Sequence, residues 1–185
     1  MHPRTDEVLS HLDHYRVVLR EAVEEVQADR REERPAPDRW SVAEILEHVG
    51  IVEGGITRLL QKQLDEVRAS GLGPEQGSSP VVPTVPVSLI VDRSSRIEAN
   101  PRVLPTSGLT AEAAWKVLEE RRKALREFLI AVDGLALGDI VIPVPHPRLG
   151  PLNGWQWLVF LGAHEGRHAG QIRELVQAGT TAQSP

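Results

Sequence analysis

The last helical segment of the sequence, residues 155–176, constrains the fold most because its apolar face carries two histidines. His164 and His168 are four residues apart, which is one helical turn plus about 40°, so both imidazoles leave the same side. That side also carries Trp157, Leu161, Ile172 and Leu175. Because an apolar helical face turns toward the core, both imidazoles are predicted to be buried and to need partners.

A metal ion is one partner that would satisfy both imidazoles, which do not easily satisfy each other. His48, on a helix much earlier in the chain, is the candidate third ligand. A different interpretation stays open, because two histidines at this spacing are a weak motif. The pair could be coincidental or hydrogen-bonded within the core, and His48 could be a structural or surface residue.

Four segments have the apolar period of an amphipathic helix. They are residues 5–28, 42–70, 111–132 and 155–176. The simplest way to bury four apolar faces is to pack them against one another. The sequence therefore predicts an all-α fold, a four-helix bundle, in a single domain over residues 1–185.

Local signals mark where three of these helices begin. Ser41 and Glu44 have the spacing of a capping box, in which each side chain binds the backbone N–H of the other residue. Asn153 and Gln156 form a variant of the same motif before the last helix, and Thr110 is a candidate N-cap. At the other end of the chain, the polar tail at 180–185 is expected to be frayed.

Residues 70–109 connect the second and third helices and are rich in glycine, proline and serine. Residues 81–91 could hold a short extended piece, although the prolines argue against a central strand. Residues 93–102 are the part most expected to be ordered. They could cover an active-site mouth and offer an arginine to an anionic substrate, or they could be a surface crossover.

Several polar side chains have simple interpretations from position alone. His11 and His14 are predicted to be solvated, and residues 121–123 (RRK) to need no partner beyond solvent. Glu165 and Arg167 flank the paired histidines about 100° away around the helix. We therefore interpret them as groups on the helix surface or behind the ligands.

His146 lies in a proline-rich connection, where it could line a pocket entrance, but surface exposure is the simpler expectation.

Glycine recurs every four residues on the side of the last helix away from the histidines, at Gly162, Gly166 and Gly170. Gly50 and Gly54 have the same spacing on the second helix. A glycine inside a helix lowers helix stability by about 1 kcal/mol relative to alanine. Five such glycines therefore suggest that they have a structural role. We expect close helix approach, either within the bundle or across a homodimer contact.

Composition excludes several classes of function. The 185 residues carry a net charge of −5 with no basic region, which argues against nucleic-acid and anionic-membrane surfaces. There is no cysteine, so the chain has no disulfide, no thiolate ligand and no cysteine nucleophile. No apolar run approaches the roughly 20 residues of a membrane span, and the polar N-terminus has no signal-peptide core. A cytoplasmic protein is expected.

Longer motifs resemble the DinB-like (DinB/YfiT) superfamily of metalloenzymes. They are residues 39–48 (RWSVAEILEH), 96–101 (RIEANP), 146–150 (HPRLG) and 155–172 (WQWLVFLGAHEGRHAGQI). The resemblance implies a four-helix bundle with a three-histidine metal site at His48, His164 and His168. Characterised members of that family include S-transferases and isomerases that use low-molecular-weight thiols.

The predicted function follows from three imidazole ligands that leave a coordination position open. The ion would be Zn²⁺, Ni²⁺ or Fe²⁺, since imidazole suits all three. The protein would be a metal-dependent enzyme of the thiol S-transferase or hydrolase type, acting on a small molecule. The alternatives are a non-catalytic metal-stabilised bundle or small-ligand-binding protein, and a structural dimer without metal. No catalytic residue beyond the ligands is assigned.

Overall fold

The computed structural model describes residues 1–68, 71–143, 146 and 148–181. Within them the chain forms α1 (Pro3–Glu24), α2 (Val42–Arg68), α3 (Val87–Val91), α4 (Ala111–Ala131) and α5 (Gly154–Thr181). These ranges contain isolated β-bridges but no strand. The predicted all-α four-helix bundle is confirmed, with α1, α2, α4 and α5 as its long helices. In the described part of the chain, no helix combines the length and the apolar character that a membrane crossing requires.

The four long helices form two parallel pairs. His11 of α1 contacts Val159 of α5, and Arg16 contacts Glu165, so these two helices run in the same direction. Helices α2 and α4 also run parallel to each other. The α1–α5 pair runs antiparallel to the α2–α4 pair. Parallel neighbours cannot be joined by a tight turn. The long segment between α2 and α4 is therefore a requirement of the topology.

The helix starts agree with the capping signals. The backbone N–H of Ser41 donates to Glu44 Oε2 at 2.9 Å, and the N–H of Glu44 donates to Ser41 Oγ at 3.2 Å. Asn153 and Gln156 exchange equivalent bonds at 3.1 and 3.0 Å. Thr110 Oγ1 accepts from the third residue of α4. The first helix ends at residue 24, four residues before the predicted end, and a 3₁₀ turn follows at Ala28–Arg30.

The crossover is more helical than the sequence predicts. Residues 81–91, which could have held a short extended piece, instead form a 3₁₀ turn at Val82–Thr84 followed by α3. Helix α3 packs against α5 and buries Ile90. Tertiary burial of this apolar side chain therefore outweighs the strand preference of the β-branched residues around it.

Two separate clusters of buried apolar side chains fill the bundle. Residues 8–12 of α1, 56–64 of α2, 125–129 of α4 and 155–163 of α5 contribute to one cluster. Residues nearer the opposite end of each helix form the other. Between the clusters each helix contributes one buried charged residue. They are Arg16, Glu53, Arg122 and Glu165, here called the ionic layer.

The ionic layer is fully paired. Arg16 Nη2 lies 2.8 Å from Glu53 Oε2 and 2.7 Å from Glu165 Oε1. Arg122 reaches the same two carboxylates, at 3.0 and 2.8 Å. The prediction that Arg122 needs no partner beyond solvent is therefore wrong, and so is the first of the two interpretations of Glu165, which placed it on the helix surface. Because each pair joins different helices, the layer fixes the register of all four.

The α5 glycines allow α1 to approach closely. A Cβ at Gly162 would lie 2.5 Å from His11 Cδ2, and one at Gly166 would lie 2.4 Å from Tyr15 Cε1. The close approach expected from the glycine spacing is thus found within one chain. His11 is half-buried with a ring nitrogen 2.9 Å from the Val159 carbonyl, so its predicted solvation is wrong.

His14, the other α1 histidine, is exposed as predicted.

Candidate metal centre

The bundle brings the three predicted ligands together. His164 Nε2 lies 3.3 Å from Nε2 of His48 on α2 and 3.1 Å from Nε2 of His168 on α5. All three side chains are buried, and each offers a ligand nitrogen within 4.8 Å of the others. Two nitrogens bound tetrahedrally to one zinc ion are about 3.3 Å apart, given a Zn–N distance of about 2.0–2.1 Å. The spacing of these nitrogens fits a single metal ion.

Hydrogen bonds at the far side of two rings determine their tautomers. His48 Nδ1 lies 2.7 Å from the Val103 carbonyl, and His168 Nδ1 lies 2.9 Å from Gln171 Oε1. Both oxygens are acceptors, so both Nδ1 atoms carry the proton and both Nε2 atoms present lone pairs. His164 Nε2 has at most one proton to donate, so hydrogen bonding alone leaves a lone pair without a donor.

Burial keeps the imidazoles neutral. It lowers the pKa of His164 and His168 well below the ordinary histidine range, and the neighbouring imidazoles lower both further. Burial also lowers the pKa of His48, against a smaller opposing effect of the bond to Val103. Neutral imidazole is the form that binds metal ions, so the site offers its ligands in the correct protonation state at neutral pH.

A cavity of about 630 Å³ opens onto the three histidines. The crossover forms one of its walls with residues 93, 96–100, 103 and 104. Two interpretations of residues 93–102 were open: a segment that covers the entrance to a site, and a simple surface crossover. The structure supports the first. His146 lines the same cavity, half-buried, with its ring 4.7 Å from that of Phe160, so the expectation of simple surface exposure is wrong.

Arg167 attaches the crossover to α5. Its guanidinium donates to the backbone carbonyls of Ile90, Asp92 and Ser95. The side chain is buried, so the interpretation as a helix-surface group is wrong. Three bonds from one side chain hold the chain that follows α3 against the helix carrying His168, which positions this wall of the cavity.

Sequence reasoning missed the groups that orient the ligands. Gln171 is three residues after His168 on the same helix, so its spacing could have identified it. The Val103 carbonyl had no such signal, because it lies 55 residues from His48 and any residue has a carbonyl. Sequence reasoning also did not identify Trp40 as a residue that lines the site. The ring of Trp40 lies 4.9 Å from that of His48.

Comparisons with known proteins find similarity over most of the chain. The family model described as the DinB superfamily matches residues 11–172, a range that includes all three histidines. The Bacillus subtilis (strain 168) protein named "Uncharacterized protein YuaE" is 21% identical over 147 residues, covering 80% of this chain and 83% of that one. A solved structure titled as that of TT2238, a four-helix bundle protein, is 19% identical with a TM-score of 0.47, covering 96% and 98% of the two chains.

Proposed function

The chain belongs to the DinB superfamily, and from that premise we propose that it is a metal-dependent enzyme whose His48, His164 and His168 hold one divalent ion. One observation carries the proposal. Three Nε2 atoms converge in a buried site, and two of them are lone-pair acceptors because their Nδ1 protons are already engaged. A cation satisfies all three nitrogens, whereas the single remaining proton cannot.

Three protein ligands favour a catalytic site over a structural one. Structural zinc sites are closed by four protein ligands, whereas catalytic sites keep a position open. Here all three imidazoles border the cavity, so an open position would face a space large enough for a small substrate. Zn²⁺, Ni²⁺ and Fe²⁺ all suit imidazole ligands. The ion would supply Lewis acidity, lowering the pKa of a thiol or water molecule that binds it.

The reaction we propose is the transfer of a small thiol to an electrophile, with hydrolysis as its counterpart when water replaces the thiol. The chain has no cysteine, so the thiol must be a co-substrate. Its sulfur would form a bond to the electrophilic carbon, the leaving group would depart with its electron pair, and the thiol proton would pass to solvent. The Val103 carbonyl and Gln171 would keep the imidazole lone pairs directed at the site throughout.

Metal analysis of untagged protein tests the site. We expect about one equivalent of a divalent ion, and we expect His48→Ala and His168→Ala to lose most of it. His14→Ala is the matched control, because His14 is exposed and does not border the cavity. If the wild-type protein takes up no divalent ion in isothermal titration, or if the ligand variants bind like the control, the proposed centre is wrong.

Turnover tests the reaction. The metal-loaded protein would be mixed with a small thiol and 1-chloro-2,4-dinitrobenzene, and product followed by absorbance. Metal-dependent product formation that is absent in His168→Ala supports an enzyme. A fully loaded protein without turnover of thiols or esters across a broad panel would instead favour the alternative, a non-catalytic metal-stabilised or small-ligand-binding bundle.

The proposal also includes a cytoplasmic homodimer. The observed glycine contacts lie within one chain, so they do not by themselves require a second copy. Sedimentation velocity checks the assembly directly: a sedimentation coefficient that corresponds to the 20.4 kDa chain would exclude the dimer.

A further inference from the structure

The cavity over the three histidines carries the opposite sign of charge from the protein as a whole. Its lining includes five arginines and three acidic residues, which leaves an excess of two positive charges, whereas the whole chain is at −5. The arginines are Arg39, Arg93, Arg96, Arg148 and Arg167, and the acidic residues are Asp38, Glu98 and Glu174. A positively charged cavity in a negatively charged protein concentrates anionic ligands.

The acidic residues are used by only some of the arginines. Glu174 accepts two bonds from Arg93, at 2.6 and 2.7 Å, and lies 3.5 Å from Arg39. Arg96 pairs with Asp38 at 2.7 Å in the same wall. These contacts engage three of the five arginines.

Arg148 and Arg167 are the cavity arginines that form no ion pair with any residue the structure describes. Arg167 is buried, and its hydrogen bonds to described residues all go to backbone carbonyls. Arg148 is exposed at the cavity and forms no ion pair or side-chain hydrogen bond with any described residue. An anion that enters the cavity can therefore bind Arg148 without displacing an existing ion pair.

Exposed apolar side chains lie beside the charged ones at the rim of the cavity. Leu89, Ile97 and Leu104 border it and are 42%, 43% and 38% exposed. An inorganic anion would leave this surface in water and would fill little of a cavity of about 630 Å³. An organic ligand could cover the rim while its charged group reaches the arginines.

Building on the proposed function, we propose that the substrate of this cavity is a small organic anion with an apolar body. Its anionic oxygen group binds Arg148, with Arg167 adding attraction from behind, and its apolar part covers Leu89, Ile97 and Leu104. Guanidinium is the side chain best suited to this role, because its planar fork matches the oxygens of a carboxylate or a similar oxyanion.

Two fluorescent probes of similar size test the charge preference. 8-Anilinonaphthalene-1-sulfonate carries an apolar body and a sulfonate, whereas N-phenyl-1-naphthylamine has the same ring system without the charge. Both would be titrated into the protein as purified and into chelator-treated protein. We expect the sulfonate to bind one site at least about tenfold more tightly than the neutral probe, with affinity falling as salt rises. Equal affinity for the two probes would overturn the proposal.

Arg148→Met locates the anion site. Arg148 is exposed, so the variant should fold, and its melting temperature would verify this. We expect the sulfonate probe to lose about tenfold in affinity and the neutral probe to be unchanged. Arg58→Met is the matched control, since Arg58 is an exposed arginine outside the cavity, and it should change neither. An Arg148→Met variant that binds the sulfonate as tightly as the control would contradict the assignment.

These experiments distinguish a failure of the proposed metal centre from a failure of the proposed anion site. Arg148 is not one of the three ligand residues, so Arg148→Met should keep the metal content of the wild-type protein. If the wild type binds no metal but the chelator-treated protein still prefers the sulfonate through Arg148, the metal centre is wrong and the anion site stands. If metal binds and the preference is absent, only the anion site is overturned.

Discussion

Replacing Arg122 with methionine should destabilise the bundle strongly, although the substitution removes only one arginine from a helix that is rich in charge. In the folded protein Arg122 donates to both carboxylates of the ionic layer and to the Leu12 carbonyl at 2.8 Å. Burial by itself would lower the pKa of Arg122, but Glu165 and Glu53 raise it, so the lost group is a cation.

The magnitude follows from the charges that remain. Without Arg122, the single guanidinium of Arg16 faces the two buried carboxylates of Glu53 and Glu165, which leaves one negative charge without a partner. Removing one member of a buried ion pair costs about 3–5 kcal/mol. For a chain of this size each kcal/mol lowers the melting temperature by about 2–4 °C, so the expected decrease is about 6–20 °C.

Urea unfolding followed by circular dichroism measures the effect, and two further variants make it specific. Lys123→Met removes the same charge from the next residue, whose side chain is exposed and 4.0 Å from Glu127, so it should shift stability by less than about 0.5 kcal/mol. Adding Glu53→Leu to Arg122→Met leaves Arg16 paired with Glu165 alone. This double variant should recover about half of the loss.

The reasoning is refuted if Arg122→Met is as stable as Lys123→Met. It is also refuted if the double variant loses the sum of the two single changes, because that additivity would mean that the charges in the layer do not interact.

Further predictions concern helix contact, pH and ligand orientation. Gly166→Ala should destabilise the protein by about 1–3 kcal/mol in urea because its Cβ would meet Tyr15, whereas Gly55→Ala, with nothing within 4 Å, should stabilise it by up to about 1 kcal/mol. The lowered pKa of His164 and His168 means that the unfolded chain binds more protons than the folded one. The free energy of unfolding of metal-free protein should therefore fall as pH drops from about 7 to 5, by at most about 1.4 kcal/mol per pH unit for each ring, and a flat profile would contradict this. Gln171→Leu, which removes the acceptor of His168 Nδ1, should weaken metal binding about tenfold or more in isothermal titration, and unchanged affinity would exclude its orienting role.

The sequence determined the four long helices, where three of them start, and the candidate ligands on their apolar faces. These features depend on groups three or four residues apart. Ser41 and Glu44 cap α2 through bonds that span three residues, and His164 with His168 share a face because of helical geometry alone. His48 could be chosen as the third ligand because it, too, lies on an apolar face.

Only the tertiary structure decided which polar side chains are buried and what they bind. Arg122 and its neighbour Lys123 look alike in sequence, yet Arg122 bonds to Glu53 and Glu165, which are 69 and 43 residues away. The carbonyl that orients His48 and the carbonyls that hold Arg167 likewise come from the distant crossover. Periodicity reports the direction in which a side chain points, whereas charge pairing, tautomers and the shape of a cavity depend on which segments the folded chain brings opposite it.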